Sequence, residues 1–401
     1  MKSLTHADYL ALRRFPALDG LRAIAAVLVV FFHYGGPDRL QGWAGVQLFF
    51  VLSGFLITTL MLREERRNGR ISLPEFYLRR AFRILPVYFV VLLVTAAASA
   101  LYGTFTSNGI GPALKYFLTF TNEFADASPY GQSWSLGIEQ KFYLVWPLVA
   151  IALGTVVLKR RAGAAALGMV LAVVVVNFTG EHSNPGWPLH YFSILTGVLL
   201  AIALHSRRGF ALLRPLTTPA AQVVVSIGFA CAHLSVKPAA ELLDGTGGIP
   251  GHVLVIPLYA VATAVLLTSL VAPGPATTLL STKPMQFVGE RSYSLYLVQT
   301  IAATIIWFFW PDLSGPWQAV VVTAMGLALA SALYRAVEIP MIDLGRRVIA
   351  RRRARNAVAS HQSGPHQPGP HQSGSQQGAP QAPTPQSAES SRLATIGQAQ
   401  P

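Results

Sequence analysis

Apolar runs recur along nearly the whole chain, at about 21–36, 44–62, 84–102, 140–158, 162–178, 190–205, 219–236, 251–271, 287–310 and 317–339. A helix needs about 20 mostly apolar residues to cross a bilayer, and in hydrocarbon each backbone polar group must be paired inside the protein. The sequence therefore predicts an all-α integral membrane protein, a bundle of about ten transmembrane helices, in which the first and sixth runs are short. Composition agrees: 52% of residues are hydrophobic and 12% charged, where a soluble domain carries about a quarter charged residues. An ordinary cytosolic enzyme is excluded, and the expected location is the inner or plasma membrane, crossed several times.

The formal charge of +14 could mark nucleic acid or an anionic surface, so its distribution decides. With the N-terminus inside, the cytoplasmic segments hold Arg13 and Arg14, the group from Arg63 to Arg83, Lys159 to Arg161, Arg207, Arg208 and Arg214, Lys283, and the group from Arg346 to Arg355. The outer segments hold Arg39, Lys115, Lys141 and Lys237. Lys and Arg accumulate in cytoplasmic loops, so both termini are predicted cytoplasmic and no nucleic-acid partner is expected. The first apolar run follows basic residues as a secretory signal would. It lacks a small-residue cleavage site and His33 interrupts it, so a retained helix is expected. The single cysteine, Cys231, excludes a disulfide framework and reads as a small buried hydrophobe. Residues 1–355 form the expected membrane domain. Residues 356–401, rich in Gln, Pro, Ser, Gly and His and including the near-repeat HQSGP-HQPGP-HQSGS, form an expected disordered cytoplasmic tail. Its regularly spaced histidines read as a solvated spacer, and no metal site is assigned.

Ionisable groups inside a bilayer are expensive and mark functional sites by default. Arg22 and His33 stand eleven residues apart, about three helical turns and about 16 Å, which puts them on one face. Arginine could hold an anion and histidine take a proton; a snorkelling arginine and a histidine bonded to a neighbouring helix would look the same. Ser53 and Gly54 are small enough for close approach of a helix or a ligand. Arg80 and Arg83, one turn apart, suit phosphate oxygens or a positive-inside anchor. Ser135, Glu139 and Tyr143 lie at four-residue spacing on one helix face. Glu139 could orient a histidine or hold a hydroxyl, or pair with Lys141 or a capping amide. Glu290 and Arg291 read as a membrane boundary, and Glu338 as an ion-pair partner of the basic C-terminal segment unless the fold brings it to the pocket. Tyr130, Trp134 and Trp187 could stack on sugars or anchor the interface.

In order along the chain, Arg22 with ten residues to His33, FFVLSGFLIT, Arg80-x-x-Arg83 with Pro86, WSLGIEQKFYLVWP, SYSLYL and Glu338-x-Pro340 resemble the membrane acyltransferase 3 family over about residues 13–350. Each motif is weak alone; the ordered set is specific. The resemblance implies an O-acyltransferase with acyl-CoA as co-substrate and no bound cofactor, acting in the lipid bilayer. The acyl group, acetyl or another short one, would pass to a hydroxyl of a surface polysaccharide, glycolipid or macrolide-type metabolite. His33 and Glu139 are then the expected catalytic residues, and Arg22, Arg80, Arg83, Ser53, Ser135 and Tyr143 the substrate-binding ones. Gln47, Gln140-Lys141 and Gln299 depart from the family's usual residues. No soluble SGNH-type domain is expected after the last apolar run, which disfavours relatives that need one for their acceptor.

The implied mechanism holds the donor's phosphates at Arg80, Arg83 and Arg22 while the thioester reaches His33, the general base, with Glu139 fixing its tautomer. A covalent acyl-histidine is the alternative route. The rival function is a transporter or flippase for a lipid-linked sugar, which would release no CoA.

Overall fold

The computed structural model describes residues 4–126, 128–154, 157–178, 187–244 and 251–362. The first residues of the expected tail, 356–362, are not disordered but continue the last helix; from 363 on the tail lies outside the described residues, as does the side chain of Trp187. One compact unit spans Met1–Arg352. No strand occurs among the described residues, as the backbone-pairing argument requires.

In chain order the helices are α1 (His6–Ala11), α2 (Pro16–His33), α3 (Ala44–Asn68), α4 (Leu73–Leu101), α5 (Ile110–Thr119), α6 (Trp134–Ala152), α7 (Leu158–Phe178), α8 (Trp187–His205) and α9 (Arg207–Leu213). They continue with α10 (Pro219–Leu234), α11 (Val236–Leu243), α12 (Gly251–Leu270), α13 (Pro275–Leu280), α14 (Lys283–Glu290), α15 (Ser292–Phe309), α16 (Gly315–Leu333) and α17 (Ile339–Gln362). All ten apolar runs fall on helices, but they are unequal. Among the described residues seven helices are long and apolar enough to cross a membrane. The count is eight if α9 and α10, bent by 80° at their junction, form one broken span. Helix α6 is diluted by Glu139, Gln140 and Lys141, and α7 opens on Lys159, Arg160 and Arg161. The protein is a multi-pass membrane protein, and large apolar side chains such as Leu93, Val224 and Phe308 lie exposed on its outside, where acyl chains rather than water would meet them.

Two seams set the core. Helix α3 crosses α8 through Gly54 and Gly197: a Cβ on Gly54 would overlap the Ile194 carbonyl oxygen, and one on Gly197 the Val51 carbonyl oxygen. Close approach of this kind lets helices gain dispersion where no hydrophobic force exists between them. Helix α2 is seated likewise on α13 and α14, with no room for a Cβ on Gly20 against the Leu280 carbonyl or on Gly289 against that of Asp19.

Three expectations are corrected. Arg161, assigned to a basic cytoplasmic loop, is 2% exposed. Its guanidinium donates to both Glu65 oxygens at 2.7 and 2.9 Å and to the Ala150 carbonyl at 2.8 Å, tying α7 and α6 to α3. A topology charge and a structural lock are indistinguishable until the partner helix is placed. Cys231 is exposed rather than buried, because α10 turns this side of itself outward. Glu338 sits in a π-helical turn, Tyr334–Glu338, 1% exposed. It accepts a hydrogen bond from Ser294 at 3.0 Å and makes no ion pair with the basic C-terminal segment among the described residues.

Candidate active site

Helices α2, α3, α4, α6, α14 and α15 enclose a cavity of about 90 Å³ lined by Arg22, Ser53, Arg80, Arg83, Ser135, Glu139, Tyr143, Glu290 and Tyr293, among others. The two glycine seams explain the convergence. Gly54 and Gly197 close α3 onto α8, which leaves the adjacent Ser53 facing α6; Gly20 and Gly289 press α2 onto α14, which brings Arg22 and Glu290 to the same space.

On the α6 side the four-residue spacing works as expected, since Ser135, Glu139 and Tyr143 all line the cavity. Ser53 Oγ donates to Glu139 Oε1 at 2.7 Å. The Tyr143 hydroxyl lies 3.1 Å from Glu139 Oε2 and from Ser53 Oγ. A carboxylate only accepts, so two hydroxyl donors suit its ionised form. Glu139 does not pair with Lys141, which bonds Glu123 instead. Tyr296 donates to the Gln132 carbonyl at 2.5 Å, so Ser135 donates to Tyr296 at 2.8 Å.

Arg80 lies over the Tyr143 ring, 5.8 Å from its centre, while Arg22 stands 3.7 Å from Asp19. Neither Arg80 nor Arg83 has a carboxylate within ion-pairing distance among the described residues. Three guanidinium groups thus stand beside one narrow cavity with Glu139 and Glu290, and forked N–H donors of this kind match phosphate geometry.

His33 is not in this cavity. It ends α2, about 16 Å along the helix from Arg22, and is exposed. Its Nδ1 lies 2.8 Å from the Val29 carbonyl oxygen. A carbonyl can only accept, so Nδ1 carries the hydrogen, and in the neutral ring Nε2 has the lone pair. The tautomer-fixing role expected of Glu139 is thus filled by the helix backbone, and Glu139 is engaged with hydroxyls.

Other residues were not foreseen as site members. Tyr293 and Tyr296, one turn apart in SYSLYL, and Glu290 line the cavity; the tyrosine spacing was a usable signal. Gln47 is buried and engaged with His190, 2.8 Å from its Nδ1, and accepts from Ser193 at 2.8 Å. His190 also packs against Trp134, with 4.7 Å between ring centres. Tyr130 is fully buried and donates to the Tyr88 carbonyl at 2.9 Å, so it presents no face to a sugar.

The family model described as an acyltransferase domain matches residues 15–335. A Staphylococcus aureus (strain COL) protein called Putative O-acetyltransferase SACOL0978 is 28% identical over 84% of this chain and 59% of its own length. Peptidoglycan O-acetyltransferase OatA of Listeria monocytogenes is 26% identical over 81% of this chain and 55% of its own. Putative peptidoglycan O-acetyltransferase YrhL of Bacillus subtilis (strain 168) is 27% identical over 85% and 57%. The chain therefore spans less than three-fifths of each relative's length. No solved structure matches it. With the matched region containing every cavity residue and His33, the chain belongs to the acyltransferase 3 family.

Proposed function

We propose that this protein is an acyl-CoA-dependent O-acyltransferase that moves an acetyl group to a hydroxyl of a cell-envelope glycan. The names of its relatives put peptidoglycan first among the acceptors. The observation that carries the reading is the juxtaposition of Arg22, Arg80 and Arg83 with the hydroxyl-held Glu139 around one narrow cavity.

The cavity is narrow, about 90 Å³, which suits a slender chain such as a pantetheine arm. The donor's phosphates would stay at Arg83, which is exposed, and Arg80, while the pantetheine arm runs inward along α2. The roughly 16 Å from Arg22 to His33 separates the charged head from the reacting thioester, and Glu139, held by Ser53 and Tyr143, orients the arm between them so that the thioester reaches His33. There His33 Nε2 takes the acceptor's hydroxyl proton and the oxygen attacks the thioester carbonyl. The C–S bond then breaks, and the leaving thiolate takes the proton from the imidazolium. The products are the ester and free CoA. Positive-inside placement of the arginine-rich end on the cytoplasmic face of the plasma membrane meets the donor where it is made and puts His33 toward the outer side.

The test is thiol release. Purified protein in lipid nanodiscs, given acetyl-CoA and a soluble peptidoglycan fragment, should release CoA in step with appearance of the acetylated fragment in mass spectra. Absence of both, with transfer of a lipid-linked sugar across the bilayer, would establish the transporter reading instead.

A further inference from the structure

A second basic site lies at the arginine-rich end of the bundle, outside the one described above. It is an open groove of about 700 Å³ between α1, the C-terminal end of α3, the last residue of α8, and α9 with the turn after it. That volume falls in the range of about 300–1,000 Å³ occupied by small-molecule sites. Its polar wall carries Arg66, Arg207, Arg214 and His6; Leu10 and Phe210 supply apolar surface. A cleft sharing Ala7, Leu10 and Arg66 with it adds Arg63 and Arg67. Nε and Nη2 of Arg63 are buried without a hydrogen-bond partner.

No carboxylate lines either space, and the nearby acids in the sequence are engaged elsewhere. Asp8 accepts from the Thr5 backbone and hydroxyl at 3.0 and 2.6 Å. Glu64 is paired with Arg79, and Glu65 with Arg161. The α1 helix is held in place as a wall: His6 Nε2 bonds the His205 carbonyl at 2.9 Å, and the His6 and Tyr9 rings pack on Phe210. Positive-inside anchoring alone calls for arginines near the boundary; here they line one groove together, beside the buried and unpartnered Nε and Nη2 of Arg63.

We propose that this groove binds a phosphate-bearing anion, the headgroup of an anionic phospholipid. The spans that contribute Arg66 and His205 end here, at Asn68 and His205. The groove therefore lies at headgroup level, with arginines for the phosphate and with Leu10 and Phe210 in its apolar lining. A soluble nucleotide such as the 3′,5′-ADP portion of a coenzyme shares the phosphate chemistry and is the other source to be distinguished. The proposal does not rest on the acyl-transfer reading.

Native mass spectrometry of the full chain tests it, with delipidated protein titrated separately with phosphatidylglycerol, phosphatidylcholine and 3′,5′-ADP. Each basic residue beside an anionic headgroup contributes about 1 kcal/mol, roughly fivefold. R66Q/R207Q/R214Q should therefore weaken phosphatidylglycerol binding about tenfold or more, with phosphatidylcholine weak throughout. R351Q/R352Q/R355Q, which removes the same charge from exposed positions, should leave binding as it was. If the first triple variant does not fold, R207Q against its non-lining neighbour R208Q makes the same comparison on exposed residues. Binding of 3′,5′-ADP alone, lost in the groove variants, would keep the phosphate site and reassign its source. Equal losses in groove and control variants, or no phosphate-dependent binding by either probe, would overturn the proposal.

Discussion

Helix α3 meets α8 on one side and α6 on the other, and adjacent residues build the two seams from opposite materials. Gly54 faces α8, where backbone meets backbone with no room for a Cβ. Ser53 faces α6, where a hydroxyl, a carboxylate and a phenol share hydrogen bonds beside an open cavity. The stretch around Gly54 gains dispersion from close backbone contact, while farther along the same seam the buried Gln47, His190 and Ser193 hydrogen-bond one another. The wet α6 seam keeps polar groups in place for a substrate, and such groups hold position only when the scaffold behind them is rigid. The α3/α8 seam is that scaffold.

The largest expected effect breaks the α8 side. Gly54→Leu sets a side chain against a backbone oxygen that cannot rotate away, so its cost should exceed the roughly 1–3 kcal/mol of ordinary overpacking. Fluorescence-detected size-exclusion of the expressed protein should show loss of the monodisperse peak; a wild-type profile would mean that α3 and α8 are not closed as described. Next comes the lock on the same helix. Arg161→Ala leaves Glu65 without its bidentate partner, which should cost about 3–5 kcal/mol, while Arg161→Met with Glu65→Leu should recover most of it. Thermal unfolding in detergent checks both.

On the chemical side the expected effect is on rate and not on folding. His33→Ala should reduce acyl transfer by about 100-fold or more, the span of general-base catalysis, with expression intact; full activity would remove His33 from the mechanism. Rapid mixing of acetyl-CoA with protein alone adds a sharper question, because a stoichiometric CoA burst without acceptor would replace direct transfer by an acyl-histidine.

The apolar runs made the membrane fold legible, because hydrocarbon leaves the backbone few choices. The spacing of Ser135, Glu139 and Tyr143 and the small Ser53-Gly54 pair were legible for the same local reason. Helical periodicity determines which residues share a face, but it does not say which face meets which helix. That is why Arg161 read as a loop charge, why Glu338 read as an ion-pair partner, and why Glu139 was assigned to His33. Each of these depends on a partner distant in sequence: Glu65, Ser294 and Ser53 respectively. His190 gave no signal, since a lone histidine beside apolar residues shows nothing of the Gln47 amide waiting 143 positions away.

Arg80→Gln with Arg83→Gln should raise KM for acetyl-CoA about tenfold or more with kcat little changed, since charge-assisted bonds to phosphate contribute about 1.5–3 kcal/mol each when well formed. Loss of kcat at constant KM would instead place these arginines with the reacting atoms.

The smallest effect sharpens the wet side at a single hydroxyl. Ser53→Ala removes the donor to Glu139 Oε1 and leaves Tyr143 on the other oxygen. Half of the carboxylate's hydrogen bonding survives, and the nearby arginines can attract it. The expected loss is about 1.5 kcal/mol, the lower end for a bond to a charged group, read as a roughly tenfold fall in kcat. KM for acetyl-CoA should hold, because Ser53 touches the carboxylate and not the arginines. Ser53→Thr keeps the hydroxyl and should restore the rate. A rise in KM in the alanine variant would move Ser53 from positioning Glu139 to contacting the donor, and would make the α3/α6 seam part of the coenzyme channel.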